Sequence, residues 1–143
     1  MVNIRFLEDK DIPKLANLYL KLRRHTMNIG GTQEMMINYI NQKLRKNDYF
    51  IYVATVNDTL VGTIAFEIKT KKSAAISDAY VELEYRRQGI LKALEQSVIE
   101  YLKAKGVETV DLVVRVNNEE GKATWSALGY KAIMEVRIKS IKD

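Results

Sequence analysis

Most of the chemistry this chain can offer is concentrated in Asp78-Ala79-Tyr80-Val81-Glu82-Leu83-Glu84-Tyr85-Arg86-Arg87-Gln88-Gly89-Ile90-Leu91. An acid set in an apolar run is followed by two arginines, a glycine and then a segment with helical periodicity. A helix that opens at such a turn presents unpaired backbone N–H groups and the positive end of its macrodipole. A phosphate placed there is held by the backbone, and Gly89 permits close approach because no Cβ intervenes. Arg86 and Arg87 add charge-assisted hydrogen bonds. The implied chemistry is anion binding; the alternative is an ordinary strand-to-helix turn with two exposed arginines. Neither G-x-x-x-x-G-K-[ST] nor G-x-G-x-x-G is present, so this is not a Walker loop or a dinucleotide fingerprint.

Hydrophobic periodicity supplies the elements that must hold that turn. Val2 to Leu7 alternates weakly and reads as a first strand. Asp9 or Asp11 opens a helix with Pro13 in its first turn, and Ile12, Leu15, Leu18, Tyr19 and Leu22 form its apolar stripe. After Gly30-Gly31, Thr32 is the expected N-cap of a second helix carrying Met35, Met36, Tyr39, Ile40 and Leu44. The period then changes. Tyr49 to Val56, Leu60 to Ile68 and Ala74 to Val81 read as antiparallel strands, with Asn57-Asp58 as the first turn. Ile90, Leu91, Leu94, Val98, Ile99 and Leu102 define a third helix, ended by Gly106. The dense apolar run Val110 to Val116 predicts a central strand covered on both faces. Asn118 or Glu119 opens a last helix stopped by Gly129, and Tyr130 to Ile141 alternates as a final strand. The class is therefore α+β: four helices and a mixed, mostly antiparallel sheet of about six to seven strands. Its central parallel pair is joined by a right-handed crossover.

At 143 residues the chain is expected to form one domain, spanning 1–143. The net charge of +5 is dispersed, and its densest patch is only Lys69-Thr70-Lys71-Lys72, so no nucleic-acid partner is expected. The absence of cysteine excludes disulfides, thiolate zinc sites and a Cys nucleophile. His25 is the single histidine, and no Ser–His–Asp or His-metal constellation can be assembled, so no metal is expected. No apolar stretch has the length of a membrane span and the N-terminus has no signal-like core. The expectation is a soluble, cytoplasmic protein with no membrane partner.

Two motifs carry a resemblance to a known family. The turn from Tyr85 to Leu94 is similar to [Q/R]-x-x-G-x-[G/A], the pyrophosphate-binding element of the GNAT N-acetyltransferase superfamily, with Arg86, Gly89 and Leu91 at its defined positions. Further on, Asn118-x-x-Gly121-x-x-x-Trp125-x-x-Leu128-Gly129-Tyr130 resembles the family's N-x-x-A-x-x-x-Y-x-x-L-G-[F/Y]. Element order and spacing agree over essentially the whole chain. Three positions depart from the pattern: Leu91 replaces Gly or Ala, Gly121 replaces Ala, and Trp125 replaces a tyrosine proposed in the family as general acid. Leu91 is expected to turn into the core beside Leu94. An indole N–H donates no proton at useful pH, so the acid's role at residue 125 is vacant.

The resemblance implies acetyl-CoA as cosubstrate and transfer of its acetyl group to a primary amine by direct attack in a ternary complex. The acceptor is a small-molecule or peptide amine, and the protein a monomer or homodimer. The resemblance also implies that the pantetheine arm lies along Val81 to Leu83, with the pyrophosphate at Arg86, Arg87, Gln88, Gly89, Ile90 and Leu91. Asn118 then lies near the arm (or simply caps its helix), and Trp125 packs beside it. A backbone N–H near Tyr80 or Val81 faces the thioester oxygen, where it favours the oxyanion over the ground state. An alkylamine of pKa near 10.4 is neutral in about one molecule in 2,500 at pH 7, so a base is needed. The family often places an acid on this strand, and Asp78 fits; the alternative is an aspartate facing solvent or paired with Arg115. Glu67 and Glu82 are second choices for the base, while Tyr80 either lines the acceptor site or acts through its phenol. The competing function is an acetyl-CoA-binding sensor or partner module without turnover.

Overall fold

Asn57 and Asp58 both take positive φ, 50° and 63°, the backbone of a two-residue hairpin turn whose twist matches its strands. They fold Tyr49–Val56 (β2) back on Thr59–Ile68 (β3). This hairpin lies within a five-stranded sheet in the computed structural model, which describes residues 1–143. Val2–Phe6 (β1) pairs antiparallel with β2, and Ser73–Val81 (β4) pairs antiparallel with β3. Thr109–Asp111 (β5) closes the order β1-β2-β3-β4-β5 and runs parallel to β4.

Alternation along the strands sends side chains into two cores. On one face Ile51, Val53 and Ala65 pack with Leu15, Leu18 and Tyr19 of Ile12–Met27 (α1) and with Met36 and Ile40 of Gln33–Leu44 (α2). On the other, Ile64, Phe66 and Ile76 meet Leu94, Val98 and Leu102 of Ile90–Ala104 (α3). Each leucine so buried contributes about 1.5–3 kcal/mol. Local signals set the helix ends. Thr32 Oγ1 accepts the Met35 N–H at 3.2 Å, and Gly106 takes the left-handed conformation, φ 82°, just after α3. Glu119–Ala127 (α4) is the fourth helix.

The α+β class, the four helices and the single parallel pair agree with the sequence reading; the strand count and the central place of that pair do not, since β5 is an edge strand. There are five strands, not six to seven. Tyr130 to Ile141 forms no strand, and Ile133, Met134, Val136, Ile138 and Ile141 are all exposed. Its alternation is real, but a strand also needs a partner for its backbone groups, and none takes them. The strand expected over Val110 to Val116 stops at Asp111, and Val113 and Val116 are exposed rather than covered. The shortening has a consequence for the site. β4 and β5 are in register only over Ser73–Ala75 and Thr109–Asp111, so from Ile76 onward one edge of β4 is open.

Candidate active site

The open-edged stretch of β4 carries a bulge on its other side, against β3. Thr63 pairs with Tyr80 and Ala65 with Ser77, so two steps along β3 face three along β4. Asp78 absorbs the extra residue with a left-handed backbone, φ 49°, which aspartate tolerates better than most side chains. Parity changes there. Ile76 belongs to the α3-side core, but Tyr80 belongs to the α1/α2 side, and Asp78 is turned toward α2.

In that position the Asp78 carboxylate accepts a 2.6 Å hydrogen bond from the Tyr39 hydroxyl. Arg115 is not its partner. Burial pushes the Asp78 carboxyl above the usual aspartate range, and the Tyr39 hydrogen bond and the Lys43 charge only partly bring it back. Burial, with Asp78 beside it, drives the Tyr39 phenol well up, so it remains a donor. Two further phenols are buried nearby without partners. The Tyr49 hydroxyl lies close to Ser77 without forming a well-aligned bond, and Tyr19, 2% exposed, leaves its hydroxyl unpaired. Asp78, Ser77 and Tyr49 line a cavity of about 400 Å³ between α2, the open end of β4 and the chain after β5.

The competing acids are differently placed. Burial raises the Glu67 carboxyl, but Lys46 and Lys69, each at 3.3 Å, outweigh it and hold it below the usual range. Glu82 is held by Lys21 at 2.7 Å. Among the acids proposed as base, Asp78 is the one without a cation in contact.

Three residues along, Glu82 donates its N–H to the Val61 carbonyl at 2.8 Å, which makes Gly62 and Val81 a non-hydrogen-bonded pair. The Val81 N–H and C=O therefore face away from β3, into the gap that β5 leaves. The carbonyl is taken by Arg86 Nε at 2.9 Å, and the N–H remains available. Beyond it, Arg87 (φ 62°) and Gly89 (φ 77°) curl the chain into α3. The first amide to reach back is Ala93, to Gly89 O at 3.0 Å, so those of Ile90, Leu91 and Lys92 have no intrahelical partner. Nothing lies within 4 Å of a Cβ built on Gly89, so the approach to these amides is clear. Arg87 and Gln88 are exposed at this helix start, and Leu91 packs into the α3-side core. Leu83 is 75% exposed just past the end of β4.

Arg86 is not splayed over the helix. Its guanidinium lies over the Tyr80 ring, 5.2 Å from the centroid, and reaches Glu120 at 3.4 Å. Tyr80 itself is buried in the α1/α2-side core. Asn118 caps α4, its Oδ1 accepting the Gly121 N–H at 2.9 Å. A Cβ on Gly121 would meet the Asn118 side chain inside contact distance, so an alanine there needs Asn118 to shift from this capping position. Trp125 packs edge-on against Tyr130, with centroids 5.4 Å apart, and the Tyr130 hydroxyl donates to Glu95 of α3 at 2.8 Å. The sequence reading missed Tyr39, Tyr49 and Lys43 as site residues. Tyr39 sits at helical spacing within an apolar stripe, and nothing in that pattern distinguishes a core phenol from one aimed at Asp78. No group of three or more His, Asp or Glu side chains is arranged to hold a metal ion, and no helix is long and apolar enough to cross a membrane.

A mixed sheet whose parallel pair parts beside a helix start with unpaired amides is the arrangement that the resemblance implies. Residues 15–130 match the model of the Acetyltransferase (GNAT) family, and the chain belongs to that family. It is 28% identical over 135 residues to an uncharacterized N-acetyltransferase of Methanocaldococcus jannaschii, a match covering 90% of this chain. The chain spans 60% of the length of that curated relative. The crystal structure of a possible acetyltransferase from Clostridium difficile 630 superposes with a TM-score of 0.84 at 20% identity, covering 100% of this chain and 99% of that one. AAC(6')-Iy, in complex with the bisubstrate analog CoA-S-monomethyl-acetylneamine, superposes with a TM-score of 0.81 at 14% identity, again over 100% and 99%. At these identities the two structures speak to the fold alone.

Proposed function

We propose that this chain transfers the acetyl group of acetyl-CoA to a primary amine by direct attack within a ternary complex. The observation that carries the reading is the pairing, on one open strand edge, of an under-partnered Asp78 with the free N–H of Val81. Bound acetyl-CoA supplies an activated acetyl thioester. The α3 start, through the amides of Ile90 and Leu91 with Gly89, Arg87 and Gln88, receives its pyrophosphate. Val81 and Leu83 run beside the arm. Arg86 braces the Val81 carbonyl, and Tyr80 forms the floor beneath Arg86. Asp78 takes the proton from the attacking amine, a task suited to a carboxylate whose pKa has been raised toward working pH. The Val81 N–H donates to the oxygen on which charge develops. A new C–N bond replaces the C–S bond, and the departing thiolate takes a proton from water. Asn118 and Trp125 act through α4: one caps it, and the other fastens it to Tyr130 and thereby to α3.

The test has two arms. Acetyl-CoA should raise the melting temperature, by about 2.7 kcal/mol of stabilisation at a hundred times Kd, and an amine should then trigger thiol release. A thermal shift without thiol release for any amine identifies a binding module instead. No shift at millimolar acetyl-CoA refutes both readings.

A further inference from the structure

Six charged side chains line the cavity beside Asp78: Lys43, Lys46, Lys69, Glu67, Asp78 and Asp111. Lys46 and Lys69 are spent on Glu67, each at 3.3 Å, and Asp111 is open to solvent. Asp78 and Lys43 are the half-buried charges without an ionic partner. Asp78 has only the Tyr39 hydroxyl. The Lys43 ammonium stands 5.4 Å from the centroid of the Tyr39 ring and 5.9 Å from that of Tyr49, with no carboxylate in contact. Both therefore rest on one phenol, the acid on its hydroxyl and the base over its face. Tyr49 lines the same space, and its buried hydroxyl makes no hydrogen bond of its own.

An empty acid–base pair held apart by a single ring is complementary to a molecule that carries the opposite charges a few bonds apart. We infer that the acceptor is a small zwitterion, a free amino acid whose amine is received by Asp78 and whose carboxylate is received by Lys43. The inference rests on the acetyl-transfer reading and names its substrate class. A volume of about 400 Å³ is at the small end of ligand cavities, which suits an amino acid. A polyamine or other polycation brings a second positive charge against Lys43 and is disfavoured by it.

The experiment measures thiol release from acetyl-CoA by the wild-type protein and by Lys43→Gln. The probes are the common amino acids, their C-terminal amides, and spermidine. Amino acids should exceed their own amides by about tenfold or more in kcat/KM, since an ionic contact is lost in the amide. Lys43→Gln should erase that preference: any change in Asp78 acts on acids and amides alike, while the acids alone lose an ionic contact and so fall further in kcat/KM. If the preference survives in Lys43→Gln, or if amides or spermidine serve as well as the acids, the zwitterion inference is overturned and acetyl transfer stands. If acetyl-CoA binds and no probe releases thiol, the transfer reading falls with it.

Discussion

Asp11, at the start of α1, and Asp78, on β4 facing α2, are both withdrawn from water, and the fold treats them in opposite ways. Asp11, 5% exposed, receives both terminal nitrogens of Arg5, at 2.7 and 3.0 Å, and the backbone N–H of Glu8 at 2.8 Å. The Arg5 hydrogen bonds outweigh burial and hold its carboxyl below the usual range. Asp78 receives one phenol, sits on a bulge with positive φ, and is pushed the other way. A fully partnered carboxylate fastens β1 to the start of α1. An under-partnered one, surrounded by unpaired phenols, costs stability and gains basicity. Satisfaction of hydrogen bonds, rather than burial alone, separates the structural acid from the one proposed as base.

The largest expected effect lies at Asp78. Asp78→Asn should lower kcat by about a hundredfold or more, with acetyl-CoA affinity unchanged. The same variant should melt higher than wild type. A carboxyl whose folded pKa is raised contributes favourably below its unfolded pKa, and that contribution is lost as pH rises through the folded value. Above the folded value the charge on Asp78 is therefore a cost that asparagine removes, and asparagine also accepts the positive φ. Near-normal turnover, or a lower melting temperature, would place Asp78 with Asp11 among the structural acids.

Asp11→Ala should do the reverse: lose about 2 kcal/mol of stability, discounted because Arg5 is partly exposed, and keep its activity per folded molecule. The pH dependence has the opposite sign as well. With a lowered folded pKa, Asp11 stabilises above its unfolded pKa, and the contribution disappears as pH falls through the lower folded value. Urea midpoints measured from neutral pH down into the acid range should thus converge for wild type and Asp11→Ala. Curves that stay parallel would mean that Asp11 acts by packing rather than by charge.

What the sequence conveyed well was local. The Asn57-Asp58 turn, the Thr32 cap and Gly106 after α3 are each decided within a few residues of chain. The start of α3 was legible for the same reason, although the direction of the Arg86 guanidinium was not: Val81 O and Glu120 claim it from other elements. The site beside Asp78 was only half legible. Strict alternation puts Asp78 on the same face as Ile76, under α3, and only the bulge against β3 reverses that. Its partner Tyr39 is 39 residues away, joined to it by no pattern in the chain. Tyr130 to Ile141 shows the converse error, an alternation with no edge to pair against.

The smallest effect expected is at Tyr39, and it tests the comparison most finely. Tyr39→Phe keeps the ring that lies under Lys43 and 5.9 Å from Tyr19, and removes only the hydroxyl. That hydroxyl favours the charged form of Asp78, so its loss moves the Asp78 pKa further upward. The acidic limb of the kcat/KM profile should shift to higher pH in Tyr39→Phe. Turnover at neutral pH should fall by about tenfold, the lower end of the about 1.5–3 kcal/mol that a hydrogen bond to a charged group contributes. In an Asp78→Asn background the same change should leave the pH profile unmoved, because no carboxylate remains for the phenol to tune. A limb that stays in place in the single variant would show that the Tyr39 hydroxyl merely fills its space. The Asp78 pKa would then be set by burial against the Lys43 charge, with nothing from the phenol.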